Sequence, residues 1–117
     1  MTKESVKEKS LEFAVRIVNA CKYLTKNKKE YILSTQLLKS GTSIGANIAE
    51  AQRGQSTPDF ASKMCIALKE AGEAEYWLLL LYRTQYFTEA EYKSLLADLQ
   101  EIIRLLTSIC KKVNPLS

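Results

Sequence analysis

Apolar residues return every three or four positions along four successive stretches of this chain, and short polar breaks separate each stretch from the next. That spacing is the period of a helix that buries one face, and nowhere does the chain alternate with the period of two that a half-buried strand needs. The breakers agree. The two prolines, Pro58 and Pro115, fall between or after the periodic stretches, and four glycines are too few for the turns of a sandwich or barrel. With 117 residues there is material for one domain with its own core. The expected fold is all-α: a single up-down-up-down antiparallel four-helix bundle over 1–117, because short connections make sequential helices run antiparallel.

Caps set the boundaries. A first helix over about 5–26 places Val6, Phe13, Ile17, Cys21 and Leu24 on one face, and Ser5 with Glu8 has the form of a capping box. The polar tract 25–30 is the first loop. A second helix, 31–53, turns Leu33, Leu37, Ile44, Ile48 and Ala51 inward and stops at Gly54-Gln55-Ser56. Thr57-Pro58-Asp59 opens a third, 58–83, with a capping threonine, proline at the first helical position and an acid in the first turn. Its inner face reads Phe60, Met64, Leu68, Ala71, Leu78 and Tyr82. Thr88 and Glu91 form another capping box for a fourth helix, 88–113, with the dense stripe Leu95, Leu99, Ile102, Ile103, Leu106, Ile109, Cys110 and Val113.

The second helix contains an anomaly. Gly41 and Gly45 lie in its middle, where each costs about 1 kcal/mol relative to alanine. With Ala49 they make a smooth strip suited to the close approach of another helix. Ser40, Ser43, Asn47 and Glu50 add polar groups beside it, and together with Glu73, Glu75 and Arg53 they are expected to form a structural polar network. Glu75 falls on the third helix's inner face, where an unpaired carboxylate would be costly. A second anomaly is surplus apolar surface. Leu11, Val15 and Val18 form an extra stripe on the first helix, and Trp77 and Leu81 point away from the face assigned to the third. One stripe per helix suffices for a bundle core, so these five are expected to meet another copy of the chain.

The residues argue against most chemistry. Histidine is absent, and Cys21, Cys65 and Cys110 are far apart with no C-x-x-C pair, which disfavours a zinc site or a disulfide framework and suits buried reduced thiols. Ser40 and Ser43 have only Lys39 nearby as a base, and neighbours in a helix do not face each other. A carboxylate-bridged metal pair wants Glu-x-x-His on two helices, and Glu50, Glu70, Glu73 and Glu75 supply carboxylates alone. No cofactor, no metal and no enzymatic activity are expected. The charged N-terminus has no apolar signal core, and the longest apolar run, Tyr76–Tyr82, is far short of a membrane span. A cytoplasmic protein with no membrane partner follows.

The formal charge is +4, with ten Lys/Arg against five Asp/Glu in residues 1–58 and seven against eight in 59–117. Lys22, Lys26, Lys28 and Lys29 gather at the first loop. Arg53, Lys111 and Lys112, with Lys3, Lys7 and Lys9, belong to the opposite end. These residues are either a solvated rim or a phosphate-binding surface that gains strength when an oligomer repeats it. No RNA-recognition motif, zinc finger or helix-turn-helix pattern accompanies them.

The run Gln36-Leu37-Leu38-Lys39-Ser40-Gly41-Thr42-Ser43-Ile44-Gly45-Ala46-Asn47-Ile48-Ala49-Glu50-Ala51 is continued by Asp59-Phe60, Ile66-Ala67-Leu68-Lys69-Glu70-Ala71, Glu73 and Tyr76-Trp77-Leu78. In these residues, across most of 33–82, the chain resembles the bacterial four-helix-bundle family encoded in intervening sequences of 23S ribosomal RNA genes. The resemblance implies a homopentamer, a ring of bundles around a central channel. It also implies relatives, the accessory variability determinants of diversity-generating retroelements, that serve reverse transcriptases and bind nucleic acid through basic surfaces. The function it implies is non-enzymatic: a homo-oligomer that binds RNA or DNA weakly as an accessory to a reverse transcriptase or RNA-processing protein. The alternative is a protein–protein assembly or adaptor module with no nucleic-acid role.

Overall fold

Four helices form where the apolar periods lie: α1 (Lys3–Asn27), α2 (Leu33–Gln52), α3 (Thr57–Arg83) and α4 (Glu89–Val113). The structure, a computed structural model, describes residues 3–54 and 56–113. Gln55, Pro115 and the side chain of Lys3 lie outside the described residues.

Backbone hydrogen bonds explain each boundary, and three of them correct the expectation. Helix α1 begins before Ser5, so that residue sits in its first turn and is not its cap. At the other end the amides of Lys28 and Glu30 both donate to the Leu24 carbonyl, at 3.2 and 3.0 Å, while Lys29 turns the chain with a positive φ of 55°. Helix α2 then starts at Leu33 instead of Tyr31, because Glu30 folds its carboxylate over the new helix end. It accepts from the amides of Ile32 at 3.2 Å, Leu33 at 3.0 Å and Ser34 at 2.7 Å. The Ser34 hydroxyl donates back to the Glu30 carbonyl at 2.8 Å. One acid thus satisfies three amides near the start of the helix and places its charge at the positive end of the dipole.

The cap of α3 is Ser56, one residue earlier than expected; its hydroxyl accepts from the Asp59 amide at 3.2 Å. Helix α3 closes with Gln85 at φ 71°, the Gln85 amide on Tyr82 carbonyl at 3.0 Å and the Tyr86 amide on Leu81 carbonyl at 2.9 Å. That pair of bonds is a Schellman motif, here without glycine at its left-handed position. The Thr88–Glu91 capping box forms as expected, with bonds of 3.1 and 2.8 Å.

Each helix touches its sequence neighbours, and α4 closes against α1, while no diagonal pair meets among the described residues. The result is the four-cornered up-down-up-down bundle, 44 × 21 × 21 Å. The expected inner faces of α1 and α4 supply the core, Val6, Phe13, Ile17, Cys21 and Leu24 opposite Leu95, Leu99, Ile102, Leu106 and Cys110. Helix α2 adds Leu37, Ile44, Ile48 and Ala51.

Helix α3 is turned from the expected orientation. Its buried line is Met64, Ala67, Ala71, Ala74, Leu78 and Leu81, a run alternating three- and four-residue steps. Phe60, Leu68 and Tyr82 lie half-buried beside it. Leu81 is therefore wholly buried core and not part of an oligomer interface. Three alanines carry this line, and their low hydropathy let the larger flanking side chains dominate the pattern.

The two glycines of α2 have the role that their placement suggested. A Cβ on Gly41 would lie 2.9 Å from Cγ2 of Ile17, and one on Gly45 would lie 3.3 Å from Oγ of Ser10. Helix α1 occupies the space that side chains on α2 would need. The α1–α4 seam is bridged differently, by Arg16 on Asp98 at 2.6 Å and by the Lys9–Glu101 pair. Arg16 also donates to the Ser94 hydroxyl at 2.8 Å and the Ser94 carbonyl at 3.2 Å.

Candidate functional site

The helix arrangement leaves one apolar face open along α1 and α2. Leu11 and Val15 are 60% and 54% exposed, and Leu38 is 38% exposed. Val18 is half-buried. Between the two helices runs a shallow groove of 260 Å³ lined by Leu11, Ala14, Gly45, Ala46 and Ala49, with Lys7, Ser10 and Thr42 at its edges. A lone exposed leucine needs no explanation. Here a leucine–valine ridge stands beside a trough that glycine and alanine keep shallow, which is the relief that one helix face offers to another.

On α3, Ile66, Tyr76 and Leu79 are exposed at separate points around and along the helix. Trp77 is half-buried, edge-on to Tyr76 with ring centroids 5.1 Å apart, and its indole donates to Glu73 Oε1 at 3.4 Å. Tyr76 and Leu79 belong to the apolar Tyr76–Tyr82 run, whose outer faces need cover, whereas the sequence pattern does not single out Leu38 and Ile66 as exposed. The signal for Leu38 was available in the Leu37-Leu38 pair, since adjacent helical residues point about 100° apart and both cannot enter the core.

The basic residues divide between the ends as expected. Lys22, Lys26, Lys28 and Lys29 are all exposed around the α1–α2 turn, and among the described residues none of them enters an ion pair. Lys28 Nζ lies 5.8 Å from the centre of the Tyr23 ring. At the opposite end, Gln52, Gly54, Phe60 and Val113 line one cleft, which brings the exposed Arg53, Lys111 and Lys112 to that end.

The structure does not gather the polar residues into one network. The Ser40 hydroxyl donates to the Gln36 carbonyl at 3.0 Å, that of Ser43 to the Lys39 carbonyl at 2.6 Å, and the Asn47 amide to the Ser43 carbonyl at 2.8 Å. Glu50 pairs with Lys63 at 2.9 Å, Glu73 takes the indole, and Glu75 is half-buried on α3. Serine and asparagine inside a helix meet their needs on the carbonyl one turn back, so they require no partner from a neighbouring helix. Both serine hydroxyls are thereby committed to backbone. Among the described residues no three His, Cys, Asp or Glu side chains gather as metal ligands would, and no helix is long and apolar enough to cross a membrane.

Two of the thiols, Cys21 and Cys110, are held protonated by their surroundings. Cys21 donates to the Ser34 carbonyl at 3.3 Å, and burial, with the Glu30 carboxylate adding to it, pushes its pKa up to about 11. Burial, and then the neighbouring Cys65, raises that of Cys110 to about 12.

None of the curated proteins matches this chain. Among solved structures, one from Bacteroides thetaiotaomicron, described as a protein with unknown function from the S23 ribosomal protein family, is 58% identical to it. That likeness covers 95% of this chain and 99% of the other, with a TM-score of 0.93. A family model for the 23S rRNA-intervening sequence protein matches residues 2–108. A match over nearly the whole length, in a helix bundle that carries the Ser-Ile-Gly-Ala-Asn-Ile-Ala-Glu run on α2, shows that the chain belongs to the 23S rRNA-intervening sequence protein family.

Proposed function

We propose that this protein is a non-enzymatic, homo-oligomeric scaffold of the cytoplasm, pentameric as the family resemblance implies, that binds RNA or DNA weakly through lysine-rich ends multiplied by assembly. The observation that carries the reading is the Leu11–Val15 ridge beside the Gly45–Ala46–Ala49 groove, an apolar relief that water leaves unsatisfied and a second copy would cover. Half-buried Val18 borders the open α1 face and half-buried Trp77 lies against exposed Tyr76 on α3, so both would lie at the margins of such contacts. Four lysines that enter no ion pair among the described residues, gathered at one end, are a modest anion site in a single chain. A ring sets several such ends side by side, where simultaneous engagement of one strand raises avidity. A reverse transcriptase or an RNA-processing protein is the partner that such an accessory would serve.

The test is binding of single-stranded RNA and DNA across a salt series. Affinity is expected to fall tenfold or more between about 50 and 200 mM salt, because each lysine–phosphate contact releases a condensed counterion. Binding that ignores salt, or none at low salt, removes the electrostatic mechanism. A second reading, an assembly or adaptor module with only protein partners, is favoured by the exposed Tyr76 packed edge-on against Trp77 on α3. It predicts that replacing Lys26, Lys28 and Lys29 together with glutamate leaves the bound partners unchanged.

A further inference from the structure

Two of the three cysteines meet across the α3–α4 seam. Helices α3 and α4 run antiparallel, and two contacts set their register. Near one end the Tyr82 and Tyr92 rings stack with centroids 4.6 Å apart, and near the other Phe60 and Val113 line the same cleft. That register brings position 65 level with about position 109, one residue from Cys110. The Cys65 thiol lies near enough to that of Cys110 to add to the rise in its pKa. The buried line of α3 is rich in alanine (Ala67, Ala71, Ala74), so its neighbours can approach closely. Cys65 is half-buried at the edge of the core, and Cys110 is buried. The remaining thiol, Cys21, lies in the α1–α2 seam on a backbone carbonyl, away from the pair.

We propose that Cys65 and Cys110 form a dithiol site that a low-molecular-weight disulfide, such as glutathione disulfide, oxidises to a bridge between α3 and α4. The half-exposed thiol begins the exchange. Cys65 loses its proton to solvent, and its thiolate attacks one sulfur of the glutathione disulfide. A Cys65–glutathione bond forms, the original sulfur–sulfur bond breaks, and one glutathione leaves as a thiolate that takes up a proton. Cys110 then gives its proton to solvent and attacks the Cys65 sulfur, expelling the second glutathione. The protein dithiol is oxidised by two electrons and one glutathione disulfide is reduced to two glutathiones. The second step is the slow one, because burial keeps Cys110 protonated at neutral pH and only its thiolate attacks. The bridge ties α3 to the last turn of α4, directly beside Lys111 and Lys112.

The experiment uses the intact, folded chain incubated with glutathione disulfide at pH 7 and pH 9, quenched with acid, alkylated in denaturant and weighed as the whole protein. The expected product has lost two thiols and holds no glutathione, and peptide mapping links Cys65 to Cys110 with Cys21 alkylated. It forms at least tenfold faster at pH 9. Cys110→Ser is expected to stop with one glutathione on Cys65, and Cys65→Ser to form no bridge. A wild-type product that keeps glutathione on Cys65, a bridge between two chains, or no loss of thiols overturns the proposal. The wild-type mapping decides the matter even where a variant folds poorly.

Discussion

Helix α1 is held on one side by α2 and on the other by α4, and the two seams close by opposite means. Against α2 the fit comes from missing atoms: Gly41 and Gly45 leave the room that Ile17 and Ser10 fill, and the apposed groups are apolar or bonded to their own helix. Against α4 the fit comes from long charged side chains, Arg16 reaching Asp98 and Ser94, and Lys9 reaching Glu101. Steric closeness tolerates almost no change in volume, whereas exposed ion pairs adapt and contribute little each. The glycines that looked expensive in one helix are the condition for packing two. The same economy of side chains leaves the outer trough between α1 and α2 shallow, so the close seam and the candidate assembly face share a cause.

Substitutions can break this comparison, and the largest effect belongs to the close seam. Gly41→Ala is expected to destabilise by about 1–2 kcal/mol in chemical denaturation, because Ile17 is wholly buried and cannot yield, and overpacking outweighs alanine's better helix propensity. Glu30→Ala, which removes the acid that starts α2 on that seam, is expected to cost about 1–2 kcal/mol, near the range for lost helix caps. The control is Gly72→Ala. A Cβ there meets nothing within 4 Å, so the change is expected to stabilise by about 0.5–1 kcal/mol. If Gly41→Ala stabilises as Gly72→Ala does, the steric account of the seam fails. Arg16→Ala is expected to cost only about 0.2–1 kcal/mol, shrinking further in high salt. A salt-independent loss as large as that at Gly41 would mean that the two seams are not different in kind.

The helices, their order and most of the core could be read from period alone, because large aliphatic residues mark the buried faces of α1, α2 and α4. Three things could not. The seam of α3 is carried by alanines, which hydropathy hardly distinguishes from surface, so Leu81 read as outward while Tyr82 read as inward. The cap of α2 depends on Glu30 folding back across a left-handed Lys29, a turn that no capping pattern in the residues announces. The polar strip read as a network because serine, asparagine and glutamate fell on one line. A helix can satisfy such residues on its own carbonyls, and only atomic positions show which occurs. On the candidate face, Leu11 and Val15 were readable as surplus. Leu38 was hidden by its neighbour in the core.

Assembly is the central claim, and the mass of the protein in solution tests it most directly. Sedimentation equilibrium or light scattering on the 13.2 kDa chain is predicted to give a closed oligomer of about five subunits. Leu11→Asp combined with Val15→Asp is predicted to reduce that to the mass of a single chain while the far-ultraviolet helix signal is unchanged. A wild-type protein that stays monomeric at tens of micromolar, or a double variant that keeps the full oligomer, would contradict the account.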